Sequence, residues 1–522
     1  MSIGDVSAEP CVLHLENGYL SRKPGINVVC DEEGVRQFVS SLSETGPLFM
    51  YLHGGLNSHE NGIKQARRLY QAMRLQGQEH LFVAWESWVT EVVTNRFTSE
   101  FTDGTRNLDT FADCLTRVVR VLGRSILKEF SGATLTAVDG ESVVNIETLS
   151  LLDDDDGRVH QRALRVMRAV RQDEEFDAVA TDLGDLLANA PSGLDHAEVV
   201  ATDIGADDVP PDVKLYARQL QDAPDALSDY PLPESGAQTA GLIGGPLGDF
   251  GELLVTSYKV VRELVERRGP HDHGFRATLT EAVLRHAPYL KLVTMAGQFL
   301  WQGMKDIAQN ATEAKDGRVG GVLQVLHALN ERYSAEAPKR LFLVGHSAGC
   351  IFLLRVLEAA KAIGLLEKLE VDVVMMAPAC TIGAFEEAVN AELLKPERTR
   401  VYLLHDEVER ADAVLSGAVE GGKLDWLRLV TDQVYPHSLL YLVAGLFEKA
   451  QPGTPILGLD RYLEAQLSAG GPMGFLRNQR ALSLTSVNAS LGRRVTARRH
   501  GGFPFDDYMV ESLSYLWRAG VS

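Results

Sequence analysis

The stretch "RLFLVGHSAGCIFLLRVLEAA", from Arg340 to Ala360, runs from an apolar segment through Gly345-His346-Ser347-Ala348-Gly349 into an apolar-rich helical pattern. Between a strand end and a helix start, a glycine on each side of Ser347 suits a turn too sharp for neighbouring side chains. Ser347 is thereby predicted to stand exposed at the carboxyl edge of a sheet. The helix behind it supplies backbone N–H groups and a positive dipole end, both useful to an oxyanion. Leu353, Val356, Leu357 and Ala360 give that helix a buried face. G-x-S-x-G is common by chance in long chains; its place between strand and helix is what points to a nucleophile.

Outward from this turn, short apolar runs alternate with helical patterns: "PLFMYL", a helix, "HLFVAW", then much later "RLFLVG", "VDVVMMA" and "RVYLLH". Each run is apolar on both alternating faces, the pattern of a parallel strand between two helix layers. The helix after the first run carries Ile63, Ala66, Tyr70 and Met73 on one face, and the one before Arg340 carries Val322, Val325, Leu326 and Leu329. The expected class is α/β, a doubly wound and mostly parallel sheet. "CVLHLENG" and "GINVVCDEEG", ahead of it, read as two edge strands.

Between Trp88 and about Arg318 the alternation of strand and helix disappears. Helical patterns, the run Asp153 to Asp156 and a loop-rich stretch fill the interval, so residues 89–317 are expected to form a large, mainly helical insertion acting as a cap. Residues 1–88 and 318–522 then make the core. The acidic run lacks the spaced oxygen ligands and glycine of a calcium loop and reads as a solvated turn.

The length of 522 residues exceeds one simple core, in keeping with an insertion. At 45% hydrophobic and 23% charged residues the composition is that of a globular protein. A net charge of -20 repels nucleic-acid phosphates and anionic headgroups, so neither is an expected partner. No apolar run approaches the roughly 18 residues of a membrane span. The N-terminal "MSIGDVSAEP" has no basic patch before an apolar core, and the five cysteines are scattered without C-x-x-C spacing. A cytoplasmic protein without metal or cofactor is expected.

The second chemical segment is "LFMYLHGGLNS", in which a strand ending at Leu52 is followed by His53, Gly54 and Gly55. Glycines here let backbone N–H groups of Gly54, Gly55 and Leu56 approach a substrate oxygen, with Ala348 N–H from the elbow as the other half of an oxyanion hole. His53 itself reads as structural. A serine needs a base. His500, in "RRVTARRHGGFPFDDYMVESLSYLW", follows a strand-like run and precedes a helix with Met509, Leu513 and Leu516 on one face. His405 and His437 are the alternatives, each equally suited to packing or capping, while His346 lies in the elbow and is expected to point elsewhere. The imidazole needs an anion. "RVYLLHDEVERADAV" offers Asp406, Glu409 and Asp412 directly after a strand. Asp406, nearest the strand end, is favoured, with Glu409 the rival and Asp412 behind. Trp85 and Trp88, like Phe503 and Phe505, read either as pocket walls or as anchors.

Strand–HGG, strand–GHSAG–helix, strand–acid and a late histidine, in the order Ser, Asp, His, resemble the α/β-hydrolase superfamily over about residues 40 to 88 and 318 to 522. The likeness is strongest to a poorly characterised branch of serine hydrolases with a "VYLLHDE" type strand and an "HGGF" type histidine segment. It implies that Ser347 attacks an acyl carbon, His500 shuttles the proton, Asp406 orients His500, and N–H groups near Gly55 and Ala348 hold the oxyanion. Leu56 departs from the HGGG pattern of lipases and esterases. The implied activity is carboxylic-ester hydrolysis of a small-molecule substrate. A lipase, amidase or acyltransferase would share the triad, and a scaffold protein that keeps the fold without catalysis is the reading from another class.

Overall fold

The computed structural model describes residues 9–21, 28–55, 59–85, 259–264, 266–267, 271–286, 291–412, 437–448, 453–469, 471–484 and 489–521, with scattered residues between 117 and 178 and Tyr435. Most of the insertion, with the acidic run, Trp88 and Leu56, lies outside the described residues, so its expected role as a cap does too.

Nine strands form one sheet: β1 (Val12–Glu16), β2 (Tyr19–Leu20), β3 (Val28–Val29), β4 (Leu48–Leu52), β5 (Glu79–Trp85), β8 (Lys339–His346), β9 (Leu369–Met376), β10 (Thr399–Leu403) and β11 (Arg480–Leu482). Their order is β11-β10-β9-β8-β4-β5-β1-β2, with β3 beside β1, and only the β1–β2 pairing is antiparallel. A separate ribbon pairs β6 (Ala314–Lys315) with β7 (Arg318–Val319). The five long strands fall where the sequence places them. β1 differs: it lies inside the sheet, paired with β5 on one side and with β2 and β3 on the other, rather than at an edge. Its burial explains this, since Val12, Leu13 and Leu15 are covered on both faces. The strand-like run ahead of His500 is irregular chain, and β11 takes the edge beside β10 instead.

Side-chain alternation builds the two cores. Leu48, Met50 and Leu52 of β4 join Leu341 and Leu343 of β8 in one apolar layer, under α1 (Glu32–Ser41), α5 (Gly321–Arg332), α6 (Gly349–Ala362) and α7 (Ile382–Asn390). Phe49 and Tyr51 join Phe342 and Val344 in the other, with Ala66, Leu69 and Tyr70 of α2 (His59–Ala72), Met73 just past its end, and Met509, Leu513 and Leu516 of the C-terminal helix (Asp507–Ala519). The period of two that a strand imposes thus sends each apolar run into two layers at once. From the inserted segment, α3 (Phe275–His286) and α4 (Lys291–Thr312) pack together, and α4 lies against α6. Among the described residues no helix is long and apolar enough to cross a membrane.

β4 lies between β5 and β8, so the chain's progress across the sheet reverses beside it. In open parallel sheets the loops leaving the carboxyl ends at such a reversal diverge and leave a crevice. Leu52 is in register with Gly345, which brings the chain after β4 level with the chain after β8.

Candidate active site

Ser347 follows directly on β8 with a φ of 54°, and at 7% exposure it is buried rather than standing exposed as the sequence predicts. A left-handed backbone costs a residue with a side chain about 1–2 kcal/mol. Three backbone hydrogen bonds hold it: the Ser347 N–H donates to Met376 O (2.9 Å), and Ser347 O accepts from Cys350 N–H (2.9 Å) and Ala379 N–H (3.1 Å). At about 1 kcal/mol net each, they outweigh the strain. The two glycines have separate reasons. A Cβ on Gly349 would lie 2.3 Å from Leu52 O and 2.5 Å from His53 O, and one on Gly345 would lie 3.0 Å from Gly349 O. Because the atoms against Gly349 are backbone, Gly349→Ala is expected to destabilise the protein by about 3 kcal/mol, the upper end of overpacking. Denaturant unfolding checks this, and an unchanged midpoint would contradict so close a crossing.

The loop after β4 lies over the elbow. A Cβ on Gly54 would lie 2.9 Å from His346 Nδ1 and 3.2 Å from Ser347 Cβ, and one on Gly55 would lie 2.6 Å from Met304 Sδ and 3.0 Å from Ala348 Cβ. Met304 belongs to α4, so the inserted segment reaches the rim of the site. His53 fixes the loop. Its Nδ1 hydrogen-bonds to Gly54 O (2.8 Å), its Nε2 accepts from the Trp85 N–H (3.2 Å), and Trp85 Nε1 donates to His53 O (3.0 Å). With Nε2 accepting, the ring proton sits on Nδ1 and is committed to Gly54. Both ring nitrogens of His53 are thus engaged within the fold, and Trp85 stacks on its ring at 5.6 Å. Ala348 N–H has no acceptor among the described residues and lies at the mouth of α6.

His500 opens a short 3-10 turn, His500–Phe505, and its Nε2 lies 2.8 Å from Ser347 Oγ. The hydrogen bonds of His405 and His437 go elsewhere than Ser347. His437 places one ring nitrogen at Arg410 O (2.9 Å) and the other at His273 O (2.7 Å), tying the helix Asp406–Ala411, here α8, to the inserted segment. Phe503 is fully buried in the core, and Phe505 lies under the Arg68 guanidinium.

The carboxylate that lies nearest the His500 ring is not the one favoured by position. Asp406 is the first residue of α8 and accepts a hydrogen bond from Tyr441 OH, with no ion pair to His500. Glu409, one turn later, lies inside, its Oε1 3.6 Å from His500 Nδ1. The side chain of Glu409 is 1% exposed, and both its oxygens and His500 Nδ1 have no hydrogen-bond partner among the described residues, the 3.6 Å contact being an ion-pair approach only. A desolvated carboxylate without a cation is costly, and the imidazolium of His500 is the charge that would compensate it. The chain turns helical at once after the strand, so the fourth residue of that helix, not the first, is aimed at the His500 ring. Asp412, ranked last, touches His500 by another route: its Oδ2 accepts the His500 backbone N–H (2.5 Å). His346 also faces His500, its Nε2 3.0 Å from His500 O. Neither backbone contact has a residue-type signature in the sequence.

Burial pushes the His346 pKa down to about 3, with the neighbouring His500 adding to the effect, and pushes that of His273, beside Glu281, down to about 4. In the unfolded chain both titrate near about 6.5, so below that pH the unfolded state binds protons that the folded state refuses. Their contribution to stability is complete above about pH 6.5 and is lost as pH falls toward those folded values, at up to about 1.4 kcal/mol per pH unit for each ring. The melting temperature is expected to drop between pH 6.5 and 5, and less so in His346→Gln. A flat profile would contradict neutral burial.

Among the described residues no group of three or more His, Cys, Asp or Glu side chains is placed to hold a metal ion. The arrangement is suited to moving a proton from a hydroxyl to an imidazole backed by a carboxylate. The chain matches no family model, and no curated protein or solved structure is significantly similar to it.

Proposed function

We propose that this protein is a serine hydrolase of the α/β-hydrolase type that cleaves carboxylic esters, with Ser347 as nucleophile, His500 as general base and acid, and Glu409 as the orienting carboxylate. The observation that carries the reading is the 2.8 Å contact between His500 Nε2 and the hydroxyl of a serine in left-handed backbone at a strand-to-helix turn. Serine is a weak nucleophile until a base takes its proton. As Ser347 Oγ attacks the acyl carbon, its proton passes to His500 Nε2, and the resulting imidazolium is stabilised by Glu409 at Nδ1. The carbonyl oxygen becomes an oxyanion facing Ala348 N–H and the Gly54–Gly55 loop. Collapse returns the His500 proton to the leaving alkoxide and leaves an acyl-serine. Water then repeats the sequence, giving the carboxylic acid and free enzyme.

The insertion is read as a cap, a role supported at the site by Met304 of α4 against Gly55. The free thiols of Cys11, Cys30, Cys350 and Cys380 favour a reducing, cytoplasmic setting. Turnover of a p-nitrophenyl ester panel together with fluorophosphonate labelling at Ser347 tests the assignment. A well-folded protein that is neither labelled nor active would sink it, and label on another serine would relocate the site.

A further inference from the structure

We propose that His346 and Asp412 are positioning residues that hold the backbone of His500 at its carbonyl and at its N–H, and so set the reach of the catalytic ring to Ser347; this rests on the serine-hydrolase reading above. His500 needs such anchors because the chain before it, from Arg493 to Arg498, forms no helix or strand, and the turn it opens is only six residues long. A base carried on a loop is held to a few tenths of an ångström only by contacts from rigid neighbours. The structure supplies two, from opposite sides of one residue. Asp412 Oδ2 accepts the His500 N–H at 2.5 Å, and His346 Nε2 lies 3.0 Å from the His500 carbonyl oxygen.

The His346 contact defines its own chemistry. A carbonyl oxygen only accepts, so the ring must carry its proton on Nε2. The other nitrogen, Nδ1, is buried without a partner among the described residues and lies against Gly54, where a protonated ring would leave a buried N–H with no acceptor. The ring is therefore a neutral donor with one task. Its backbone immediately precedes Ser347, so a single residue ties the nucleophile's turn to the base's carbonyl. Asp412 makes the matching link to the acid: it ends α8, which carries Glu409, and its N–H bonds back to Glu409 O at 3.3 Å. Nucleophile, base and acid come from three separate segments, and these two side chains bring them into register.

The test uses the whole chain, with kcat and KM for a p-nitrophenyl ester and the rate of fluorophosphonate labelling as readouts. His346→Leu and Asp412→Ala are expected to lower kcat and the labelling rate about 100-fold, the cost of a misplaced catalytic group, with KM within about threefold. His346→Gln keeps a side-chain N–H at a similar reach, and Asp412→Asn keeps an acceptor oxygen; each should recover kcat to within about fivefold of wild type. A His346→Leu enzyme as fast as wild type overturns the proposal. So does an Asp412→Asn loss as deep as that of Asp412→Ala, which would mean that the charge of Asp412 is needed and that it serves as a triad acid. Should His346→Leu fail to fold in a melting experiment, His346→Gln and the Asp412 pair decide alone. Wild-type protein that takes no label and turns over no ester would sink the hydrolase reading itself, whereas labelled wild type beside an unaffected His346→Leu sinks only this clamp.

Discussion

Ser347→Ala is expected to eliminate covalent labelling by a fluorophosphonate and to lower ester turnover by about 10⁴-fold or more, while the melting temperature changes little. The chemical loss is complete because an alanine offers nothing for His500 Nε2 to deprotonate, and what remains is the modest catalysis of the oxyanion donors and substrate binding. The small structural cost follows from the site. Among the described residues Ser347 Oγ has one hydrogen-bond partner, His500, and the backbone bonds to Met376, Cys350 and Ala379 that hold the left-handed turn do not involve the hydroxyl. Both readouts are needed, since a variant that loses activity and stability together reports on folding. Mass spectrometry of the labelled wild type locates the adduct. An adduct that persists in Ser347→Ala would move the nucleophile to another residue.

Glu409→Gln and Asp406→Asn are expected to separate sharply. Glu409→Gln removes the charge that faces His500 Nδ1 and should lower kcat by about 10²–10⁴-fold, with the loss in kcat rather than KM because the imidazolium forms only during the reaction. The same substitution takes an unpaired carboxylate out of the interior, so stability should be unchanged or higher. A catalytic defect joined to undiminished stability is a combination that damage to the core does not produce. Asp406→Asn should leave kcat within about threefold, since Asp406 is engaged by Tyr441 OH and an amide oxygen can still accept that bond. The opposite pattern, a slow Asp406→Asn enzyme and a near-normal Glu409→Gln enzyme, would return the acid to Asp406. Two mild variants would leave Asp412 as the carboxylate.

Much of this site follows from local rules. The G-H-S-A-G turn, the two glycines after β4 and the late histidine are each a backbone requirement or a rare side chain at the end of a predicted element, and the structure brings them together. The choice among Asp406, Glu409 and Asp412 follows no local rule. All three lie within one seven-residue stretch, 406–412, soon after one strand, and a helical turn of about 3.6 residues sends each in a different direction.

By itself, then, the sequence determined the parallel α/β sheet with helices on both sides, the places of its five long strands and the identity of the elbow serine. Those features are written as period-two apolar runs and as glycines at a tight crossing, which depend on neighbours in the chain. Only the tertiary structure decided that β1 runs inside the sheet, that Glu409 rather than Asp406 faces His500, and that His346 and Asp412 grip the His500 backbone. The reason is physical: these are contacts between segments about 90 to 150 residues apart or between strands whose partners are set by packing, and no pattern within either segment encodes which way its partner will turn.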